Sequence, residues 1–132
     1  MKKDSGNMSM RESIRQILRE QSERDRLIDL YITKRMKSFT VNKRADGKKG
    51  QIGRIDFVDK DGKPKVIIFF NRYNKENEVM MDDNLYGEIY GMFSMDGFNE
   101  IQKHLVKWFS NNFSILKNII EVYTFDNDEY AY

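Results

Sequence analysis

The fold is decided by residues 51–70, QIGRIDFVDKDGKPKVIIFF. Apolar and polar side chains alternate over 51–58, and this period of two predicts a strand. Asp61 and Gly62 are the residue types of a tight hairpin turn, where one residue needs a positive φ. Residues 65–70 then predict a second strand, and the continuous apolar run that follows Lys65 indicates burial on both faces.

A long helix is predicted on the N-terminal side of this hairpin. Ser9 followed by Glu12 is typical of a capping box, in which each side chain satisfies a free backbone N–H of the other residue. From about Met10 to about Met36 the apolar residues recur mostly at helical spacing. The stretch 19–25 is wholly polar, with expected i,i+4 pairs of Glu20 with Arg24 and of Arg19 with Glu23. It is expected to project into water or to meet a partner.

Further elements are predicted on the C-terminal side of the hairpin. Residues 78–81 favour a fourth strand, and Asp82 or Asp83 is expected to cap a short helix. A second amphipathic helix is predicted over about 98–111. The β-branched content of 119–125 favours a final strand.

The segment 47–68 resembles a KOW-type motif, which forms part of a small SH3-like β-barrel. It contains a basic loop, a glycine, alternating apolar residues around a central glycine, an acid–glycine turn and a strand that begins with valine. Members of this family in ribosomal and transcription proteins often bind RNA or other proteins. The resemblance implies Lys48, Lys49 and Arg54 as contact residues. Two alternatives remain open, a plain β-hairpin and a phage connector role without nucleic acid.

The fold class expected from these elements is α+β. A long N-terminal helix and a short strand at 39–42 precede a small, mostly antiparallel β-sheet or SH3-like barrel. Two further helices and a C-terminal strand complete it. We expect a disordered N-terminus at 1–8, a single domain over 9–125 and an acidic, aromatic tail at 126–132.

Positive charge is concentrated between residues 34 and 54. This stretch contains eight cations and one acid, Asp46, for a local balance of +7. Lysine and arginine bind phosphates and release counterions, which gives affinity that depends on salt but little on sequence. We therefore expect a basic face for nucleic acid or another acidic partner, formed by Lys34, Arg35, Lys37, Lys43, Arg44, Lys48, Lys49 and Arg54.

The formal net charge of +2 conceals an asymmetry between the two halves of the chain. Residues 1–65 sum to +8 and residues 66–132 to −6. Such a chain can bind a polyanion at one end and a basic protein at the other, or stack head to tail into a homo-oligomer. Alternatively, the two halves simply attract each other within the fold, and the sequence leaves these interpretations open.

Catalysis has little support in the sequence. The absence of cysteine excludes disulfides and thiolate chemistry, and no metal or cofactor motif is present. His104, the one histidine, is expected at the polar face or boundary of its helix. Asp82 and Asp83 are read as helix-capping residues. We predict a non-enzymatic protein with no cofactor.

The aromatic residues of the two C-terminal helices allow two interpretations. Tyr86, Tyr90 and Trp108 are types enriched at protein-interaction surfaces. More often such a stripe is core against a sheet, and we favour that reading. If the role is protein interaction, the alternatives are a phage virion component and a small inhibitor of a host defence complex. The amino-acid composition is typical of AT-rich genes, which suits both alternatives. The chain lacks a signal-like start and any run of about 20 apolar residues, so a cytoplasmic or virion location without membrane contact is expected.

Overall fold

The computed structural model describes residues 9–45, 52–71, 76–113, 119 and 121–126. The predicted disorder at 1–8, the loop containing Lys48 and Lys49, and the tail beyond Asp126 lie outside this range. Within it the α+β fold class is confirmed. The elements in chain order are α1 (Met10–Lys37), β1 (Thr40–Ala45), β2 (Ile52–Val58), β3 (Pro64–Asn71), β4 (Glu76–Asp82), α2 (Asp83–Met92), α3 (Phe98–Asn112) and β5 (Val122–Phe125).

The five strands form one sheet in the order β1-β2-β3-β4-β5. The first four are antiparallel neighbours, as hairpin connections require, and β5 pairs in parallel with β4. The parallel step follows from the intervening α2 and α3, which carry the chain back to the other end of the sheet. One row of the register runs through Ile55, Ile68, Val79 and Val122, on β2, β3, β4 and β5 in turn.

All three helices pack on one face of the sheet. The main core joins side chains of the three helices to those of β2, β3, β4 and β5. On the opposite face a smaller cluster contains Ile67, Met80 and Phe125. Val66, Ile67 and Ile68 are each fully buried, so β3 is covered on both faces as its apolar run predicted.

Local hydrogen bonds fix the ends of the elements. The Ser9 hydroxyl accepts from the Glu12 N–H at 3.1 Å and begins α1. The Asp82 carboxylate accepts from the N–H groups of Asn84 and Leu85 at 3.1 and 3.2 Å, which identifies Asp82 as the cap of α2. Gly62 has φ 82°, the positive value that the hairpin turn was expected to need.

The N-terminal half of α1 projects from the core. Burial on this helix begins at Ile28 and continues at Ile32 and Met36. Arg24, predicted to pair within the helix, instead forms a bidentate ion pair with Glu100 of α3. The expected local pairing was therefore wrong, because a carboxylate on the neighbouring helix offers a planar, two-point partner for the guanidinium.

Candidate basic surface

Three lysines of the predicted basic face are exposed around the junction of α1 and β1. Lys34 and Lys37 lie in the last turn of α1, where positive side chains complement the negative end of the helix dipole. Lys43 lies on β1, a strand at the edge of the sheet in which every residue is exposed. Within the described residues none of the three forms an ion pair.

Arg35 occupies the same end of α1 but points toward α2. Its Nε and one terminal nitrogen donate to the Glu88 carboxylate at 2.5 and 3.0 Å, and Tyr31 donates to the same carboxylate at 2.6 Å. The guanidinium also lies 5.3 Å from the ring centroid of Phe39. Partial burial acts to raise the pKa of Glu88, but the hydrogen bonds from Arg35 and Tyr31 outweigh it and hold the pKa below its usual value. Arg35 thus ties α1 to α2.

Arg44 and Arg54 flank a buried carboxylate on the helix-free face of the sheet. Asp56 is fully buried, and its two oxygens lie 3.2 Å from the Arg44 guanidinium and 2.5 Å from Arg54 Nε. The Arg54 guanidinium also lies over the Phe69 ring, at 5.3 Å from its centroid. A buried carboxylate without such partners would be strongly destabilising, so both arginines compensate Asp56.

The structure thus divides the six described cations of the predicted basic face into two kinds. Arg35, Arg44 and Arg54 are engaged with carboxylates of the chain itself. Lys34, Lys37 and Lys43 face solvent, and Lys48 and Lys49 fall in the segment between β1 and β2 that lies outside the described residues. Sequence reasoning missed the distinction, because Glu88 and Asp56 approach the arginines only in the folded chain.

The three aromatic residues predicted for protein interaction occupy different depths. Trp108 is buried in the main core and donates its indole N–H to the Thr33 hydroxyl at 2.9 Å. Tyr86 is half-buried and its hydroxyl accepts from the Gln102 amide at 3.1 Å. Tyr90 is exposed on α2. The three side chains therefore do not share one surface environment.

His104 is buried, which corrects the expectation of a polar-face or boundary position. It is 7% exposed, and its Nε2 lacks a hydrogen-bond partner among the residues that the structure describes. The nearest carboxylate oxygens belong to Asp25 at 3.6 Å and Glu100 at 4.0 Å. Burial lowers the pKa of His104 from 6.5, and the negative charge of Asp25 opposes that effect. The spacing signal was present, because residue 104 lies three positions after Ile101 on the buried stripe of α3.

A groove of about 540 Å³ runs between α1 and α3 beside this histidine. Its lining combines apolar and charged side chains, among them Leu18, Gln21, Asp25, Ile32, His104 and Lys107. Across the described part of the chain, no three histidine or carboxylate side chains are arranged to hold a metal ion. Among the described helices none combines the length and apolar character that a membrane crossing requires.

Comparisons with protein-family models, with curated proteins and with solved structures found no match for this chain. The resemblance of 47–68 to a KOW-type motif therefore stays a prediction. Residues 52–68 of this segment lie in the β2–β3 hairpin, and Arg54, one of its three implied contact residues, is held against Asp56.

Proposed function

We propose that this chain is a non-enzymatic binding protein that holds nucleic acid through a lysine surface. The lysine surface comprises Lys34, Lys37, Lys43, Lys48 and Lys49. The observation that carries the proposal is the exposure of the first three at the end of α1 and along the edge strand β1. Lys48 and Lys49 follow directly after that strand in the sequence.

Lysine chemistry suits contacts to phosphate more than the recognition of bases. An exposed ammonium neutralises one phosphate without imposing a planar geometry, whereas the bidentate arginine contacts typical of base recognition require a guanidinium. In this chain Arg35, Arg44 and Arg54 bind the chain's own carboxylates. We therefore propose binding that tolerates any sequence and weakens with salt.

The test is a triple charge reversal with a matched control. Lys34→Glu, Lys37→Glu and Lys43→Glu are combined in one variant, and Lys60→Glu, Lys63→Glu and Lys103→Glu in another. All six lysines are exposed. Each variant replaces three lysines by three glutamates, so both change the net charge equally. We expect the first to lose at least about tenfold in affinity for nonspecific duplex DNA at low salt, and the second to lose much less, because only the first removes phosphate contacts.

The salt dependence supplies a second measurement. Five phosphate contacts would give a slope of about −4.5 in a plot of log affinity against log salt for duplex DNA. The triple charge reversal would flatten that slope, and so would Lys48→Glu combined with Lys49→Glu. Equal losses in both triple variants would mean that net charge alone governs binding, and no binding of wild-type protein to DNA or RNA at low salt would refute the proposal.

A further inference from the structure

The projecting half of α1 carries an exposed apolar stripe. Met10, Ile14, Ile17 and Leu18 are 80, 50, 54 and 59% exposed, although the same helix is buried from Ile28 onward. In proteins most of the stability of an amphipathic helix comes from packing its apolar face, and the projecting half of α1 leaves that face exposed. We propose that this stripe packs against the same stripe of a second copy of the chain, in an antiparallel helix pair with two-fold symmetry.

Three residues of the stripe, Met10, Ile14 and Ile17, continue at Gln21 with the spacing of a coiled-coil seam, and Leu18 lies beside that seam. Residues 10, 14, 17 and 21 are separated by four, three and four positions, as alternating d and a positions of a heptad are. Superposing the two seams in opposite directions places the two-fold axis between residues 15 and 16. Ile14 then lies opposite Ile17 of the second copy, and Met10 lies opposite Gln21.

Contacts of α1 with the rest of the fold limit how far the two helices overlap. Arg24 is bound to Glu100 of α3, so the body of the molecule begins there. An antiparallel pair centred between residues 15 and 16 uses the helix up to that point and leaves the two bodies at opposite ends. A parallel pair would bring both α3 helices to the same end of the seam.

Charges beside the seam favour the same orientation. In an antiparallel pair the e positions of the two helices are neighbours. Arg11 and Asp25 both occupy e positions, so Arg11 of each copy lies beside Asp25 of the other copy. In a parallel pair the g and e positions are neighbours instead, which places Glu20 beside Asp25 of the second copy. The charges of Arg11 and Asp25 attract each other in the antiparallel pair, whereas those of Glu20 and Asp25 repel each other in the parallel pair.

The groove between α1 and α3 extends the proposed contact. It is lined by Leu18, Gln21 and Asp25 on the α1 side, at the level where Met10 of the second copy would lie. A methionine side chain is unbranched and adapts to irregular cavities, so Met10 suits a groove of mixed lining. The second copy would thereby reduce the exposure of the apolar part of this groove.

Sedimentation equilibrium of the full chain tests the proposal. The stripe is small, so we expect a reversible wild-type dimer with a dissociation constant in the micromolar range. Combining Ile14→Glu with Ile17→Glu should weaken it by at least about 100-fold. The control combines Leu30→Glu with Met92→Glu, two exposed apolar residues off the seam, and should leave the dimer unchanged. A wild-type monomer at about 1 mM, or equal effects of both variants, would overturn the proposal.

Cross-linking tests the orientation, since the natural chain contains no cysteine. Chains carrying Ile14→Cys are mixed with ¹⁵N-labelled chains carrying Ile17→Cys and oxidised, and the products are resolved by mass. An antiparallel pair predicts mostly mixed disulfides, because these two positions face each other. A majority of like-with-like disulfides would show a parallel pair and refute the two-fold arrangement. Both variants retain every lysine of the lysine surface, so this result is independent of nucleic-acid binding.

Discussion

Gln102 and His104 are two buried polar residues of α3 with opposite hydrogen-bonding situations. The Gln102 amide accepts from the Val122 N–H at 2.8 Å and donates to the Val122 carbonyl at 2.9 Å. It thereby satisfies both backbone groups of a fully buried residue at the start of β5. His104 Nε2 has no such partner. A buried polar side chain of this helix therefore stabilises the fold when it is hydrogen-bonded, as Gln102 is, and destabilises it when it is not, as with His104.

Replacing Gln102 tests how much its hydrogen bonds to Val122 stabilise the fold. Gln102→Leu leaves the Val122 N–H and carbonyl buried without partners, which should lower the free energy of unfolding by about 1–3 kcal/mol for each group. Gln16→Leu, at an exposed position of α1, is the control and should stay within about 0.5 kcal/mol of wild type. Urea unfolding followed by circular dichroism measures both. An equal effect of the two changes would contradict the role given to Gln102.

The pH dependence of stability tests the effect of burying His104 without a hydrogen bond to Nε2. Because burial lowers the pKa of His104 below its unfolded value of 6.5, the unfolded chain takes up a proton that the folded chain resists. The free energy of unfolding should therefore be level above about pH 7 and fall as the pH drops through 6.5 toward the folded pKa. Asp25 and Glu100 oppose this fall, whereas Arg24 and Lys103 add to it.

The chain contains one histidine, so its imidazole titration can be followed by NMR without ambiguity. His104→Gln should remove the loss of stability that begins as the pH falls through the ordinary histidine pKa of 6.5, while leaving the carboxylate-dependent loss at lower pH. That later loss follows from Glu88 and Glu100, whose lowered pKa values contribute stability that disappears as the pH falls below their usual 4.5. A titration midpoint above 6.5 in the folded protein would contradict the burial effect.

At the scale of elements, the junction of β4 and α2 depends on one carboxylate. Asp82 is the last residue of β4, caps α2, and lies 3.4 Å from the Lys65 ammonium. By contrast, Ser9 caps the exposed end of α1. The two caps have similar local hydrogen bonds but different consequences, because α2 enters the core and the first turns of α1 do not.

Removing each cap in turn tests this difference. Asp82→Ala should lower the free energy of unfolding by about 2 kcal/mol or more, since it removes the cap and leaves Lys65 without its buried partner. Asp82→Asn keeps the capping oxygen and should cost less. Ser9→Ala should reduce helix content in circular dichroism with little change in the unfolding midpoint. Equal midpoints for Asp82→Ala and Ser9→Ala would show that α2 does not depend on this cap.

At the scale of the whole molecule, the opposite charges of the two halves meet inside the fold. Arg24–Glu100, Arg35–Glu88 and Lys65–Asp82 each join a cation of residues 1–65 to an acid of residues 66–132. The interpretation that the halves attract each other is therefore favoured for these cations. Lys34, Lys37 and Lys43 take part in none of these three bridges, which is why the proposed binding role rests on lysines and not on the full basic run.

Local sequence patterns were sufficient to predict the helices and the β2–β3 hairpin. The bounds of α1 and α3 were predicted to within about one residue, because helical spacing and caps are encoded by neighbours in the chain. The Asp61–Gly62 turn and the apolar run of β3 likewise predicted the β2–β3 hairpin. Two residue-level expectations failed, the intrahelical pairing of Arg24 and the boundary position of His104, and both failures involve contacts between α1 and α3.

The amino-acid sequence by itself determined the α+β class, the order of the elements and the concentration of cations between residues 34 and 54. The tertiary structure alone decided which of those cations face solvent. Arg35, Arg44 and Arg54 meet carboxylates from α2 and β2, while Lys34, Lys37 and Lys43 meet none in the described part of the chain. The physical reason is that ion pairs require a distance of a few ångströms between side chains, and for partners as far apart as Arg35 and Glu88 only the packing of helices on a sheet sets that distance.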